Sequence, residues 1–455
     1  MDTAEAPSHA ARPPRPESDV SSFVGLVGLA GLFGWVAVSR NFAAIADFFD
    51  LAVPREPMSG PHSALVALFA AAVPMALWSV LVDKVHLRPS TGIDWSLRRT
   101  RAPDRGTSMV KLLGLWATWA VIAALYCLCR WYWDGNYVFA IRVLTWAALP
   151  LVVLSIPYVL WLDRVMVNPR DHAWHFGALI LGMAGWDPDQ IKKHWRTWII
   201  KGFYTAFMIS IVPFAFATVV SADLAQTFSQ PASATLFLIE VMFMMDVIIG
   251  TVGYIMTVRP LDAHIRSGNP FLGGWIAALI CYPPMVWGIM GNAQFVNYQQ
   301  NTPEWLYWMQ GNDSLIAVWG TLLVGLTFFY AWATFVFGLR FSNLTYRGVI
   351  TNGPYRWTRH PAYVSKNLFW WAAVLPFLVT TGSPVEAIRN SFFLLVVNGI
   401  YFWRAKTEEA HLLAEDPKYR AYHAYMAQHG LLTAPLTKLW DRLRPRPAVE
   451  PQPAE

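Results

Sequence analysis

Residues 314–338 read SLIAVWGTLLVGLTFFYAWATFVFG, an apolar run without a charged side chain. A helix of about 20 such residues, rising 1.5 Å each, crosses a hydrocarbon core of about 30 Å. The run therefore predicts a membrane span. Further runs of the same kind lie near residues 22–39, 61–82, 109–129, 143–163, 197–221, 233–257, 271–290, 367–380 and 386–403. The run at 367–380 is short. Its Trp370, Trp371 and Pro376, with the following Thr380, Thr381 and Gly382, read as the two arms of a tight helical hairpin.

Composition agrees with this pattern. Of 455 residues, 55% are hydrophobic, 15% aromatic and 14% charged, against about 25% charged in ordinary soluble domains. The deficit excludes a soluble enzyme. Mean hydropathy is +0.34 and there are 24 Trp, a residue favoured at lipid–water interfaces. Cys127, Cys129 and Cys281 all fall in apolar stretches, which excludes a secreted disulfide framework or a paired-cysteine zinc site.

Placement of charge gives an orientation. The tail before residue 22, segments 83–108, 164–196, 258–270 and 339–366, and the chain from Arg404 hold 28 of the 35 basic residues, whereas the alternate loops hold 4. Basic loops face the cytoplasm. The expected fold is all-α: a polytopic helical membrane protein of about ten transmembrane helices with both termini cytoplasmic. The net charge of +6 is thus a topology signal, and no nucleic-acid partner is expected. The tails, residues 1–20 and 441–455, are rich in Pro, Ala, Glu and Arg and are expected to stay unfolded. The first run follows Glu17 and Asp19, not a basic region, and reads as a retained anchor rather than a signal peptide.

Outward from 314–338 on its C-terminal side lies a stretch no lipid-facing helix would tolerate. It runs from Arg340-Phe341-Ser342-Asn343 to Gly353-Pro354-Tyr355-Arg356-Trp357-Thr358-Arg359-His360-Pro361-Ala362-Tyr363. After the last apolar run come Arg404-Ala405-Lys406-Thr407-Glu408-Glu409, then Asp416-Pro417-Lys418-Tyr419 and Tyr422. Arg404 and Glu408, four apart, share a helical face.

These two blocks, in this order and separated by one helical hairpin, resemble the isoprenylcysteine carboxyl methyltransferase and phospholipid methyltransferase superfamily of integral membrane enzymes. The resemblance covers roughly residues 314–430. It implies methyl transfer from S-adenosylmethionine, bound without a Rossmann fold in a cytoplasmic pocket between the last helices. Carried over residue by residue, His360, Pro361 and Tyr363 contact the cofactor, Arg359 anchors its carboxylate end, and Tyr355 helps close the pocket. Glu408 and Glu409 hold its ammonium or order Arg404, with Arg404 and Glu409 the catalytic pair and no metal. Ser365, Lys366 and Asn367 lie at the mouth of the hairpin. The implied acceptor is lipid-like or prenylated, most simply the carboxylate of a prenylcysteine or lipid acid. The implied location is the inner membrane of a bacterium or the endoplasmic reticulum of a eukaryote.

The residues themselves are compatible with that chemistry. A sulfonium zwitterion needs a carboxylate binder, an acid for its amine and an aromatic face. Arg359, Glu408 or Glu409, and Tyr355 or Tyr363 supply these. A carboxylate acceptor is already ionised, so alignment and electrostatics suffice. An amine acceptor would need a base such as Glu409 or His411. Blander readings exist for each part. Arg356 and Arg359 also suit an ordinary basic loop, Arg404–Glu408 a surface pair, His411 a solvated helix, and Tyr419, Tyr422 and Tyr425 a packing stripe.

Two other classes share some features. Sterol-type membrane reductases using NADPH carry a similar Arg-His-Pro-Asn-Tyr turn, but Ala362 stands in place of the Asn. A transporter would use the helices themselves, but no internal repeat is visible. Residues 22–313 form a region of about seven spans with no motif and no assigned role. Within it, Glu240 and Asp246 lie in an apolar run and need a partner or a polar cavity. Asp171, His172 and His175 suggest helix capping rather than metal binding.

Overall fold

The computed structural model describes residues 14–102, 104–129, 135–291 and 295–443; the rest of the two expected tails, 1–13 and 444–455, lies outside them. The protein is 72% helical. Among the described residues, eight helices are long and apolar enough to cross a membrane: α1 (Ser22–Arg40), α2 (Pro61–Leu81), α3 (Arg105–Leu128), α4 (Asn136–Val165), α6 (Pro188–Ser221), α7 (Pro231–Ile255), α9 (Asp313–Phe335) and α11 (Pro384–Glu415). Between them lie the shorter α5 (His172–Ile180), α8 (Leu272–Leu279) and α10 (Pro361–Val374), and after them α12 (Pro417–His429) and α13 (Thr433–Leu443). Several of these helices start on proline, whose fixed φ and missing N–H suit the first turn.

Two of the expected spans are not continuous helices. In 271–290, α8 ends at Leu279, and a five-residue helix resumes only at Met285. Pro283 and Pro284 between them offer no N–H for a helical ladder. In 367–380 the helix stops at Val374, because Leu375 adopts a left-handed conformation and Pro376 follows. The chain nonetheless returns across the molecule between α7 and α9. These two helices are parallel neighbours: Thr235 meets Gly320 near their starts, and Thr334 donates to Asp246 at 2.5 Å near their ends.

The basic segments gather at one end. Ile93 pairs with Met166, Arg259 donates to the Thr91 carbonyl at 3.2 Å, and Arg266 donates to the Tyr346 hydroxyl at 3.2 Å. Strand β1 (Ser267–Gly268) pairs antiparallel with β2 (Thr345–Tyr346). At the opposite end Arg40 caps the carbonyls of Val219 and Ala222 at 2.6 and 2.7 Å, and the Thr380 N–H meets Asn301 at 2.9 Å.

Part of the expected N-terminal tail is built into the basic end. The Asp19 N–H donates to Val349 O at 2.9 Å, and its carboxylate accepts the Val349 N–H at 2.7 Å. Thr351 reaches Pro16 O at 2.8 Å, and Lys418 of α12 pairs with Asp19 at 2.6 Å. Residues 16–20 form a strap over the loop that carries the first motif, and residues 441–443 continue α13.

The main core joins α1, α2, α6, α7 and α9 around Leu32, Met75, Phe216, Ile248 and Phe335. In lipid such packing rests on close contact, which small residues permit. A Cβ on Gly31 of α1 would lie 1.9 Å from Ala70 O of α2.

Candidate active site

A cavity opens at the basic end where the 340–360 loop, α10, α11 and α12 converge, and Tyr355, Arg359, His360, Tyr363, Arg404 and Glu408 all line it. The two motifs meet because Pro361 starts α10 right after the loop, while Arg404–Glu409 extends the same helix that forms the last long apolar run. Pro361 itself is buried outside the cavity lining; its carbonyl accepts from Ser365 at 2.9 Å.

The adjacent glutamates face different partners. Glu408 accepts from Tyr363 OH at 2.5 Å and pairs with Arg404 Nε at 3.3 Å. Glu409, one residue on and so turned by about 100°, lies outside the cavity lining. Its carboxylate is 5% exposed and sits 3.0 Å from Arg359 Nε, 3.0 Å from His360 Nε2 and 2.7 Å from Lys406 Nζ. The contact with Glu409 puts the His360 proton on Nε2, and the His360 ring stacks on Tyr363 at 5.6 Å and 8°. Of the two roles expected for the glutamate pair, ordering Arg404 therefore falls to Glu408, and Glu409 orders Arg359 and His360.

Arg359 is the least satisfied member. Its Nε is close to Glu409, but the N–H is not directed at the oxygen, and both Nε and Nη1 are buried without a hydrogen-bond partner among the described residues. Buried donors in this state favour an incoming anion. The Tyr355 hydroxyl donates to Ala333 O at 3.3 Å, and its carbonyl accepts from Tyr422 OH at 2.6 Å. Burial, with Tyr422 and Glu408 adding to it, pushes its phenol well up, so the ring stays neutral.

Besides Glu408 and Tyr363 of the motifs, Arg404 is held by Asn343 and Tyr282, to which reading the sequence assigns no role. Asn343 Oδ1 accepts from Nη2 at 2.5 Å, and the guanidinium lies over the rings of Tyr282 and Tyr363 at 5.6 and 5.1 Å. Asn343 in turn binds the hydroxyls of Tyr254 and Tyr282 at 2.6 and 2.9 Å, and Tyr204 stacks on Tyr254 at 5.1 Å. Residues 22–313, which had no expected role, thus supply the wall behind Arg404. A Cβ on Gly253 would lie 2.4 Å from Phe341 O, and Arg347 clamps both carbonyls, Gly253 O and Phe341 O, at 2.8 Å.

Deeper in the cavity Lys366 sits among Tyr330, Trp370 and Tyr401, its ammonium 5.6, 5.2 and 5.6 Å from the ring centroids. Asp246 is part of this neighbourhood through Tyr330 and Thr334. Glu240 lies half-buried on the same helix as Asp246. His411 is 2% exposed rather than solvated and meets Ser267 Oγ at 2.9 Å. Tyr419 and Tyr422 pack with Val349 and Met426. Asp171 caps α5 through the N–H groups of Ala173 and Trp174 at 3.1 and 3.4 Å.

Sequence comparison gives this region a class. Residues 318–414 match the model of the isoprenylcysteine carboxyl methyltransferase (ICMT) family. The matched segment includes both motif blocks up to α11, so the resemblance read from Gly353–Tyr363 and Arg404–Glu409 agrees with the family match. It supports a membrane methyltransferase of the isoprenylcysteine carboxyl type. No curated protein and no solved structure matches the chain.

Proposed function

We propose that this protein transfers a methyl group from S-adenosylmethionine to the carboxylate of an amphipathic acceptor, a prenylcysteine or a comparable lipid acid, at the cytoplasmic boundary of its membrane. The observation that carries the reading is the buried, unpartnered Arg359 Nη1 in a cavity that Glu408, Tyr363 and Arg404 also line. Those residues fit the cofactor's three demands. Arg359 would bind its carboxylate, Glu408 its ammonium, and the stacked His360 and Tyr363 rings would face its sulfonium. Tyr355 would close the pocket from the loop side.

When bound, S-adenosylmethionine would supply a methyl carbon on a cationic sulfur, available to an acceptor oxygen as the S–C electron pair returned to sulfur. No proton has to move. A fully engaged Glu409 is therefore no handicap, and we read it as a positioning residue for Arg359 and His360. Arg404, fixed by Asn343 and Glu408, orients the acceptor carboxylate through the planar fork of its guanidinium. Lys366, caged by aromatic rings on the cavity wall, adds a second positive charge for that carboxylate. The work of the site is alignment and charge complementarity.

The test is equilibrium binding of S-adenosylhomocysteine and of NADPH to the detergent-purified protein, followed by donor-dependent esterification of a farnesylated cysteine and of a long-chain fatty acid. Binding of S-adenosylhomocysteine with ester formation supports the reading. NADPH binding without S-adenosylhomocysteine binding replaces it with a reductase, and binding of neither removes the cofactor model.

A further inference from the structure

The basic end encloses a second cavity, of about 420 Å³, whose lining residues all fall between Ser90 and Arg266, outside the family-matched segment. It lies among the loops before α3, between α4 and α6, and after α7. Asp262 stands between the two cavities, accepting from Ser90 of this one at 2.7 Å and from Arg340 of the first at 2.6 Å.

Four cations line the cavity, Arg170, Lys193, Arg259 and Arg266, against two carboxylates, Asp171 and Asp187. Both carboxylates are already engaged. Asp171 pairs with Lys111 at 3.2 Å while capping α5, and Asp187 accepts from the Asp189 N–H at 2.8 Å to cap α6.

The donors are less well served. Arg259 Nη1 lies 3.3 Å from His264 Nε2. Arg259 can only donate there, so the ring proton of His264 is on Nδ1. That Nδ1 is buried with no partner among the described residues, and so is Arg266 Nε, although the other Arg266 nitrogens serve Tyr346 and Asp262 at 3.2 and 3.1 Å. Burial, reinforced by Arg259 and Arg266, keeps His264 well below its usual range and neutral.

We propose that this cavity binds a phosphate group, carried by a phosphorylated lipid headgroup or by a soluble phosphate ester. Two buried N–H donors lack acceptors, and the cations exceed the carboxylates by two. A phosphomonoester brings about −1.5 to −2 charges and three acceptor oxygens, matching that excess, whereas a carboxylate leaves one cation over. Arginine forks from separate loops and a lysine on α6, meeting at one cavity, suit a tetrahedral anion better than a planar one.

The experiment uses the full chain in nanodiscs of zwitterionic lipid. The midpoint of thermal unfolding is followed against inorganic pyrophosphate, with sodium chloride at matched ionic strength as control, and in parallel discs with and without phosphatidic acid. A ligand that binds the native state raises the midpoint by mass action. A rise with pyrophosphate assigns a soluble phosphate; a rise with phosphatidic acid alone assigns a headgroup. Apparent affinity for the active phosphate is expected to weaken at least tenfold in H264Q and in the double variant R170Q/K193Q. Arg170 and Lys193 form no ion pair among the described residues, and Arg170 lies over the Trp174 ring at 4.9 Å; retained S-adenosylhomocysteine binding verifies, independently of this cavity, that the double variant keeps the fold. No rise beyond the chloride control for either phosphate, or an undiminished rise in both variants, overturns the proposal.

Discussion

Replacing Glu409 with Gln tests how the first motif is held in place. One carboxylate oxygen serves Arg359 and His360, each at 3.0 Å, and the other serves Lys406 at 2.7 Å. The amide keeps one acceptor but presents N–H groups to a cluster that is already all donors. Removing one partner of a buried ion pair costs about 3–5 kcal/mol. Lys406 is 48% exposed and recovers water, so the stability loss should lie near the lower end, about 3 kcal/mol. The larger functional effect is on Arg359, which loses the anion that orients it. Losing one charge-assisted contact to the donor costs about 1.5–3 kcal/mol, a ten- to hundredfold loss of affinity. Calorimetric titration with S-adenosylhomocysteine, paired with single-turnover methyl transfer at saturating donor, separates the two effects. Affinity should fall within that range while the saturated rate stays near wild type. Unchanged affinity with a collapsed single-turnover rate would place Glu409 at the reacting atoms and refute its positioning role.

The other expectations follow from neighbouring contacts. R404K keeps the charge but loses the planar fork, so turnover should fall strongly with donor affinity little changed; equal turnover would reduce the pair with Glu408 to packing. K366M should raise the KM for a carboxylate acceptor at least tenfold and leave S-adenosylhomocysteine binding intact, and an unchanged KM takes Lys366 out of acceptor binding. Burial alone would raise the Asp19 carboxyl, but hydrogen bonds from Lys418 and the Val349 N–H hold it below its usual range. Its stabilisation is thus complete above the unfolded value of about 3.9 and fades as pH falls through the lower folded value; D19N should lower the thermal midpoint at pH 7, with the gap to wild type closing only in that acid range. G253A should displace the Phe341 carbonyl and with it Asn343, reducing turnover more than donor affinity. For topology, a cysteine at the exposed position 192 should label only from the cytoplasmic side and one at the exposed position 49 only from the other.

What the residues revealed in advance depended on how local the determining physics is. The run at 314–338 could be read directly because a span depends on length and apolarity along a single stretch. The segment 271–290 has the same apolarity, but its backbone is decided by two prolines without N–H groups, and only its placement between parallel helices shows that the chain returns there. The motif residues were legible as chemistry, and Arg404 and Glu408 as partners by their helical spacing. The separate duty of Glu409 was not, because it depends on Arg359 and His360 arriving from another helix. Asn343 stood in the polar stretch as one residue among many. Tyr254 and Tyr282 looked like ordinary aromatic span residues, and nothing short of the folded contact singles them out. Asp246 could be expected to need a partner, and Thr334 with Tyr330 is the form that need takes.

The strap of residues 16–20 over Val349 and Thr351 sets the order in which the enzyme can be completed. Asp19 and Val349 are 330 positions apart, so the strap leaves the ribosome long before that seat exists, with Arg88, which donates to the Asp19 carbonyl at 2.7 Å, as its early partner. Its docking on Val349 and Thr351, with Lys418 closing over it, is therefore a late step of assembly. A fragment beginning at residue 314 would contain both motifs yet lack the strap, as well as the tyrosine wall behind Arg404. It would be a membrane-inserted polypeptide without a finished candidate site.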